Sequence, residues 1–272
     1  MNNLHRELAP ISDAAWSQLE EETTRTLKRY LAGRRAVDVP SAGGVALPGV
    51  ATGHLRSISA PAEGILASQR EVKPLVELRV PFELSRQTID DVERGAEDSD
   101  WQPAKDAAKK LAFAEDRAIF NGYREANIQG IREGSSNPIE TLPADVREYP
   151  DAVAHALSQL RLVGVNGPYS VLLGANEYTS LAETRDHGYP VLDHVKRIVD
   201  GNLIWAPAIE GAFVLTTRGG DFELNIGQDV SIGYLSHTQS VVKLYLQETF
   251  VFRVLTSEAS VVLSPSKKSS KA

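Results

Sequence analysis

Residues 99–123 read SDWQPAKDAAKKLAFAEDRAIFNGY. Ser99 and Gln102 stand at capping-box spacing, with Pro103 in the first turn, where its missing N–H costs little. Asn121-Gly122 offers a left-handed stop. About 20 helical residues make a rod of roughly 30 Å. Ala104, Ala107, Ala108, Leu111, Ala118, Ile119 and Gly122 form one broad apolar face, and Phe113, Phe120 and Tyr123 load a second. A helix apolar on two sides is a buried spine with material packed on both flanks. Lys105, Asp106, Lys109, Lys110, Asp116 and Arg117 are read as its wet strip.

N-terminal to the spine, Ser12-Asp13 opens an amphipathic helix. Trp16, Leu19, Thr23, Leu27, Tyr30 and Leu31 recur at helical spacing, and Gly33 closes it. Residues 40–53 are rich in Pro and Gly and read as a loop. Two strands, 53–60 and 64–72, then flank a turn. They carry few large apolar residues, and an isolated hairpin is marginal in water, so this arm must lie on something else. From Leu75 to Leu84, Val76, Leu78, Val80, Phe82 and Leu84 alternate with Glu77, Arg79, Pro81 and Glu83. That is a strand with one buried face. Residues 85–98 make a short helix or turn into the spine.

Beyond a loop at 134–145 the chain alternates: helix 151–163, strand 169–173, helix 175–183, helix 190–199, and strands 203–206 and 212–217. The tip between the second and third of these helices is Thr184-Arg185-Asp186-His187-Gly188-Tyr189. The end returns to β at 222–226, 230–235 and 241–255. Glu248 interrupts the apolar face of the last strand, and a buried carboxylate needs a cation or a backbone donor. Residues 264–272, SPSKKSSKA, read as a disordered basic tail.

The 272 residues suffice for a large core, and a net charge of −7 argues against a general nucleic-acid binder. The absence of cysteine excludes disulfides and thiolate metal sites. No run reaches the ~18 apolar residues of a membrane span, and the N-terminus carries no signal-peptide pattern, so a cytoplasmic location is expected. No nucleotide-binding, nucleophile-elbow or zinc-protease motif is present. The six histidines lack metal-ligand spacing, and no metal or cofactor is expected. The residues themselves therefore give an α+β protein with a long arm, a buried spine and no recognisable active site.

A series of short matches then runs in order along the chain: Leu8-Ala9-Pro10 with Trp16, Gly33-Arg34-Arg35, Asp91-Val92-Glu93-Arg94-Gly95, Phe113-Ala114-Glu115-Asp116, His187-Gly188-Tyr189-Pro190, Arg218-Gly219-Gly220-Asp221-Phe222, Gly227-Gln228-Asp229 and Leu246-Gln247-Glu248-Thr249. Taken together they resemble the encapsulins, shell proteins of bacterial nanocompartments. The resemblance implies a fold like the major capsid protein of tailed phages. Its parts would be an N-terminal helix and cargo-facing segment (1–42), an extended arm (43–75), a peripheral domain with the spine (76–130), an axial domain (131–222) and return strands of the peripheral domain (223–263). It also implies a closed icosahedral shell, the smallest of sixty copies, that is not itself an enzyme. Such a shell takes up a dye-decolourising peroxidase or ferritin-like protein through a short C-terminal peptide on the cargo.

By the same resemblance, Leu27 and Leu31 would hold apolar cargo side chains. Arg34 and Asp38 would bond the peptide's polar groups unless they only pair with each other, and Asp229 would be a neighbour. Asp186, His187, Gly188 and Tyr189 would surround the fivefold axis as a pore. There a ring of carboxylates and imidazoles, the latter titrating near pH ~6.5, would filter solutes by charge. Two other readings stand beside this one. One is a free-standing enzyme using Glu248, Asp229 and a histidine; the other is a secreted antibacterial or proteolytic protein.

Overall fold

A computed structural model describes residues 3–266. Ser12 caps α1 (Asp13–Tyr30), its side chain accepting from the Ala15 N–H at 3.3 Å. The arm is β1 (Gly49–Ile58) with β2 (Ala67–Pro74), and among the described residues it pairs with no other strand. It begins earlier than the Pro/Gly content suggests. β3 (Val76–Ser85) buries Phe82 and Leu84 and exposes its odd-numbered residues, as its alternation requires. α2 (Arg86–Glu93) leads to α3 (Gln102–Phe120), followed by the short α4 (Ile131–Gly134).

α3 starts later than the capping-box spacing suggests. Trp101, 4% exposed, is drawn into the core, and the Asp100 side chain accepts from Gln102 N at 2.9 Å. The Ser99 hydroxyl is buried without a partner. Gly122, at φ +87°, supplies the left-handed stop.

The second region contains β4 (Glu140–Leu142), α5 (Tyr149–Leu162), β5 (Tyr169–Leu173), α6 (Ala175–Glu183), β6 (Arg185–Asp186), β7 (Tyr189–Pro190), α7 (Val191–Ile198), β8 (Leu203–Trp205) and β9 (Ala212–Thr216). The chain ends in β10 (Phe222–Ile226), β11 (Ser231–His237), β12 (Val241–Val254) and β13 (Ser260–Pro265).

β12 organises one sheet. Its first part pairs antiparallel with β3 on one side and β11 on the other, and its last residues pair with β10. The other sheet has the order β4-β13-β9-β5-β8. β13 thus leaves the return strands among which residues up to 263 were expected and enters the second region's sheet. There it pairs antiparallel with β9 and parallel with β4, which was expected to be loop. Ser264 and Pro265, expected in the tail, lie in β13, and the tail beyond Ser266 falls outside the described residues.

Three apolar clusters hold the elements together. One packs α1, α2 and α3 against β3, β11 and β12, and one fills the second region. The third joins the C-terminal half of α3, through Ile119 and Phe120, to Phe213, Leu224 and Phe250 of the two sheets. α3 is therefore a buried spine packed on both flanks.

Candidate functional site

α1 ends at Tyr30 and a 3-10 turn over Gly33–Arg35 follows. The turn is fixed from beneath by Asp116, which accepts from Ala32 N at 2.9 Å and Gly33 N at 2.8 Å. Asp116 was expected on the wet strip of the spine; it is fully buried. Helical spacing offered the clue. Glu115 lies one turn from both Leu111 and Ile119, and Asp116 one turn from Ala112, so both acids share the buried face. Burial pushes the Asp116 carboxyl up to about 7, against the two N–H bonds that favour its charge.

The turn delivers Arg34 into a carboxylate cluster. Its Nε donates to both Glu115 oxygens, at 2.9 and 3.0 Å. Nη2 donates to Glu115 Oε2 at 2.6 Å and to Glu248 Oε2 at 3.2 Å, and Nη1 to Asp229 Oδ1 at 2.8 Å. Glu115 is 0% and Glu248 1% exposed, whereas the Asp229 side chain is 59% exposed. The break in the apolar face of β12 thus has its cation. Burial, and then Glu115, push Glu248 well above the usual carboxylate range. Its Oε1 is buried without a partner, which suits a protonated acid better than a carboxylate. Although burial alone would lower it, Glu115 and Asp229 hold the Arg34 pKa above its ordinary value.

Arg34 and Asp38 do not pair with each other. Asp38 Oδ2 accepts from Gly220 N at 2.6 Å, and its main chain bonds Phe222 and Leu224, tying the segment to β10. Asp38 lines a small polar depression of about 130 Å³. The other four expected cargo residues do converge. Leu27, Leu31, Arg34 and Asp229, with Thr24, Lys28, Arg35 and Val230, line a groove of about 430 Å³. Leu27 and Leu31 form its floor, 9% and 8% exposed. The sequence reading missed Thr24, Lys28 and Val230, which carry no distinguishing pattern; Arg35 stands in the Gly33-Arg34-Arg35 match but was not named as a groove residue.

Asp186 to Tyr189 form the end of a two-residue hairpin, with Asp186 paired to Tyr189. His187 and Gly188 have φ +46° and +90°, the left-handed pair that a type I′ turn demands. The tip is a tight two-residue hairpin. The His187 side chain is 94% exposed, its Nε2 3.8 Å from Asp186 Oδ1. No histidine is among the partners of Glu248 or Asp229, so the acid-base set of a free-standing enzyme is not assembled. Among the described residues there is no metal-binding cluster, and no helix is long and apolar enough to cross a membrane.

A long spine, a protruding two-stranded arm and a sheet region carrying a tip hairpin define a capsid-like shell fold. Solved structures bear this out: a virus-like particle from Pyrococcus furiosus matches with TM-score 0.65 over 92% of this chain and 99% of its own, at 18% identity. Gordonia phage Cozz matches with TM-score 0.55 over 88% and 87%, at 13% identity. The particular family follows from sequence. Residues 1–251 match the family described as encapsulating protein for peroxidase. A type 1 encapsulin shell protein of Mycobacterium tuberculosis is 62% identical over 97% of this chain and all of its own length, and one of Brevibacterium linens is 56% identical over the same shares. The chain belongs to the encapsulin family of shell proteins.

Proposed function

We propose that copies of this chain close into an icosahedral shell, of sixty subunits in its smallest form, that encloses a partner enzyme in the cytoplasm. The shell takes no part in the enzyme's chemistry. The arm carries this reading. Leu55, Ile58, Leu66 and Val72 are 65%, 48%, 100% and 55% exposed on a hairpin that pairs with no other strand among the described residues. Apolar surface presented this way marks a protein–protein contact, and contacts between unlike patches close into rings and cages when their rotations close.

The enclosed partner is a peroxidase, as the matching family's description supports, specifically of the dye-decolourising type; a ferritin-like protein is the second choice. Its C-terminal peptide lies in the groove, apolar side chains on Leu27 and Leu31 and polar groups toward Asp229 and the free edge of Arg34. Asp38 acts by holding the groove segment to β10. The hairpin Asp186–Tyr189 lines a pore.

The groove is tested by co-expressing the shell with a fluorescent protein bearing the C-terminal segment of the cargo peroxidase. Leu31→Ala with Asp229→Ala should cut the copies retained per shell by about tenfold, one decade of affinity, in particles that still assemble. Undiminished loading in intact particles would show that the peptide lies elsewhere.

A further inference from the structure

Beside the groove lies a surface that the shell reading leaves unused. Tyr30 at the end of α1, Phe113 on α3 and Trp205 at the end of β8 are half-buried, their ring centroids 5.7 Å apart from Tyr30 to each of the other two. Cations cover these rings. Arg29 stands over Tyr30 and Trp205 at 5.9 and 5.8 Å, Lys109 over Tyr30 and Phe113 at 5.4 Å each, and Arg117 over Phe113 at 5.7 Å. Lys105, Lys109, Phe113 and Arg117 follow one another at four-residue intervals on a single face of α3. Lys105 has Glu22 at 3.5 Å. Beyond it, Arg29, Lys109 and Arg117 have no ion-pair partner within 4.0 Å among the described residues, and neither have the neighbouring Lys28 and Lys110, whereas Arg35 acts on the buried Asp116 carboxylate.

Three cations, Arg29, Lys109 and Arg117, gathered over one aromatic cluster with no carboxylate in ion-pair reach among the described residues, stand out in a chain of net charge −7. Their mutual repulsion is relieved by an anionic partner, and focused charge of one sign draws such a partner in. Two observations say which anion. A nucleic-acid strand needs bare ring faces on which bases stack, yet these ring faces already carry the chain's own cations, whose N–H groups, apart from Arg117 Nε, which donates to the Ala208 carbonyl at 3.4 Å, are left for carboxylates. The surface is also continuous with the groove: Lys28 and Arg35 line the groove, and Arg35 Nη2 donates to the Trp205 carbonyl at 2.9 Å.

We propose that the Tyr30–Phe113–Trp205 surface with Arg29, Lys109 and Arg117 docks an acidic polypeptide segment of the enclosed partner, adjoining the part seated in the groove. The inference rests on the groove being a peptide site. Aromatic bodies fix the cationic stems, so little side-chain freedom is lost when carboxylates arrive.

The test co-expresses the shell with four fluorescent proteins. Their C-terminal tails are six glutamates, six lysines, a Gly-Ser tail of the same length, and the cargo peroxidase's C-terminal segment alone. Each is paired with the parent shell and with Arg29→Gln, Lys109→Gln, Arg117→Gln, which keeps side-chain bulk over the rings. The parent should retain about ten times more of the glutamate-tailed protein than of the Gly-Ser one, a decade of affinity, and none of this excess should survive in the variant. The cargo-segment protein should load equally in both. A glutamate tail retained no better than Gly-Ser, as well as lysine, or equally by the variant overturns the proposal. Nuclease-resistant nucleic acid in parent particles that disappears in the variant overturns it in favour of a nucleic-acid surface. If the cargo-segment arm fails in both shells while the glutamate tail loads, the groove reading falls, and with it the placing of the acidic segment beside a seated peptide, while the surface's hold on an acidic segment stands.

Discussion

Arg34 is held by three acidic side chains of which two are fully buried, so its first duty is to the subunit rather than to a peptide. Removing one partner of a buried ionic cluster leaves uncompensated charge; Arg34→Ala should destabilise the subunit by about 3–5 kcal/mol. Arg34→Lys should recover only part of this, because a point charge cannot fork across Glu115. Chemical denaturation of the two variants measures both; a loss below about 1 kcal/mol for Arg34→Ala would mean that the cluster is not coupled to folding. Glu248 adds a pH dependence. Its folded pKa is raised, so the folded chain keeps a proton that the unfolded chain gives up. Stability from this group is full below the unfolded value near pH ~4.5 and is lost as pH rises toward the raised one. Asp116, pushed up to about 7, acts in the same direction. Glu248→Gln, which mimics the protonated acid, should flatten the fall in Tm as pH rises above about 4.5. An unchanged slope would assign the proton elsewhere.

At the scale of elements, the tip hairpin makes the pore reading specific. Its turn requires φ > 0 at both central residues, and a histidine there is held outward with Asp186 beside it. Around a symmetry axis these side chains would form a charged ring. With a peroxidase enclosed, Asp186→Ala should reduce the preference for cationic over anionic substrates, and His187→Asn should keep the turn while altering that preference. Identical preferences in all three shells would move the traffic to another opening. Elements with strong periodicity were legible in the sequence. The 3.6-residue stripe of α1 and the alternation of β3 both report directly which face is buried. The start of α3 was not, because burial of Trp101 outweighed the Ser99 cap. Asp116 misled for a related reason: its charge argued for water, while its place on the Ala112 face argued for the core. Of the groove, Leu27, Leu31, Arg34 and Asp229 came from family resemblance, whereas the buried partners that fix Arg34, Glu115 and Glu248, needed the fold.

For the molecule as a whole, the pairings that could not be read are the distant ones. β13 looks like any short apolar strand, and nothing local says that it returns to β9 and β4 rather than continuing beside β12. The arm was legible because it lacks what a hairpin needs to stand alone, and its exposure in the folded chain agrees. Shortening it, by joining Ala51 to Val72 through a Gly-Ser link, should leave a folded subunit that forms no closed shell. The claim that these surfaces are completed by other copies is tested most directly by electron microscopy of the purified, unmodified protein with its mass measured in solution. Uniform closed particles are expected; sixty chains of 29.6 kDa come to about 1.8 MDa, and larger closed shells would be multiples of this. Monomers or dimers only, at micromolar concentration, would contradict the account.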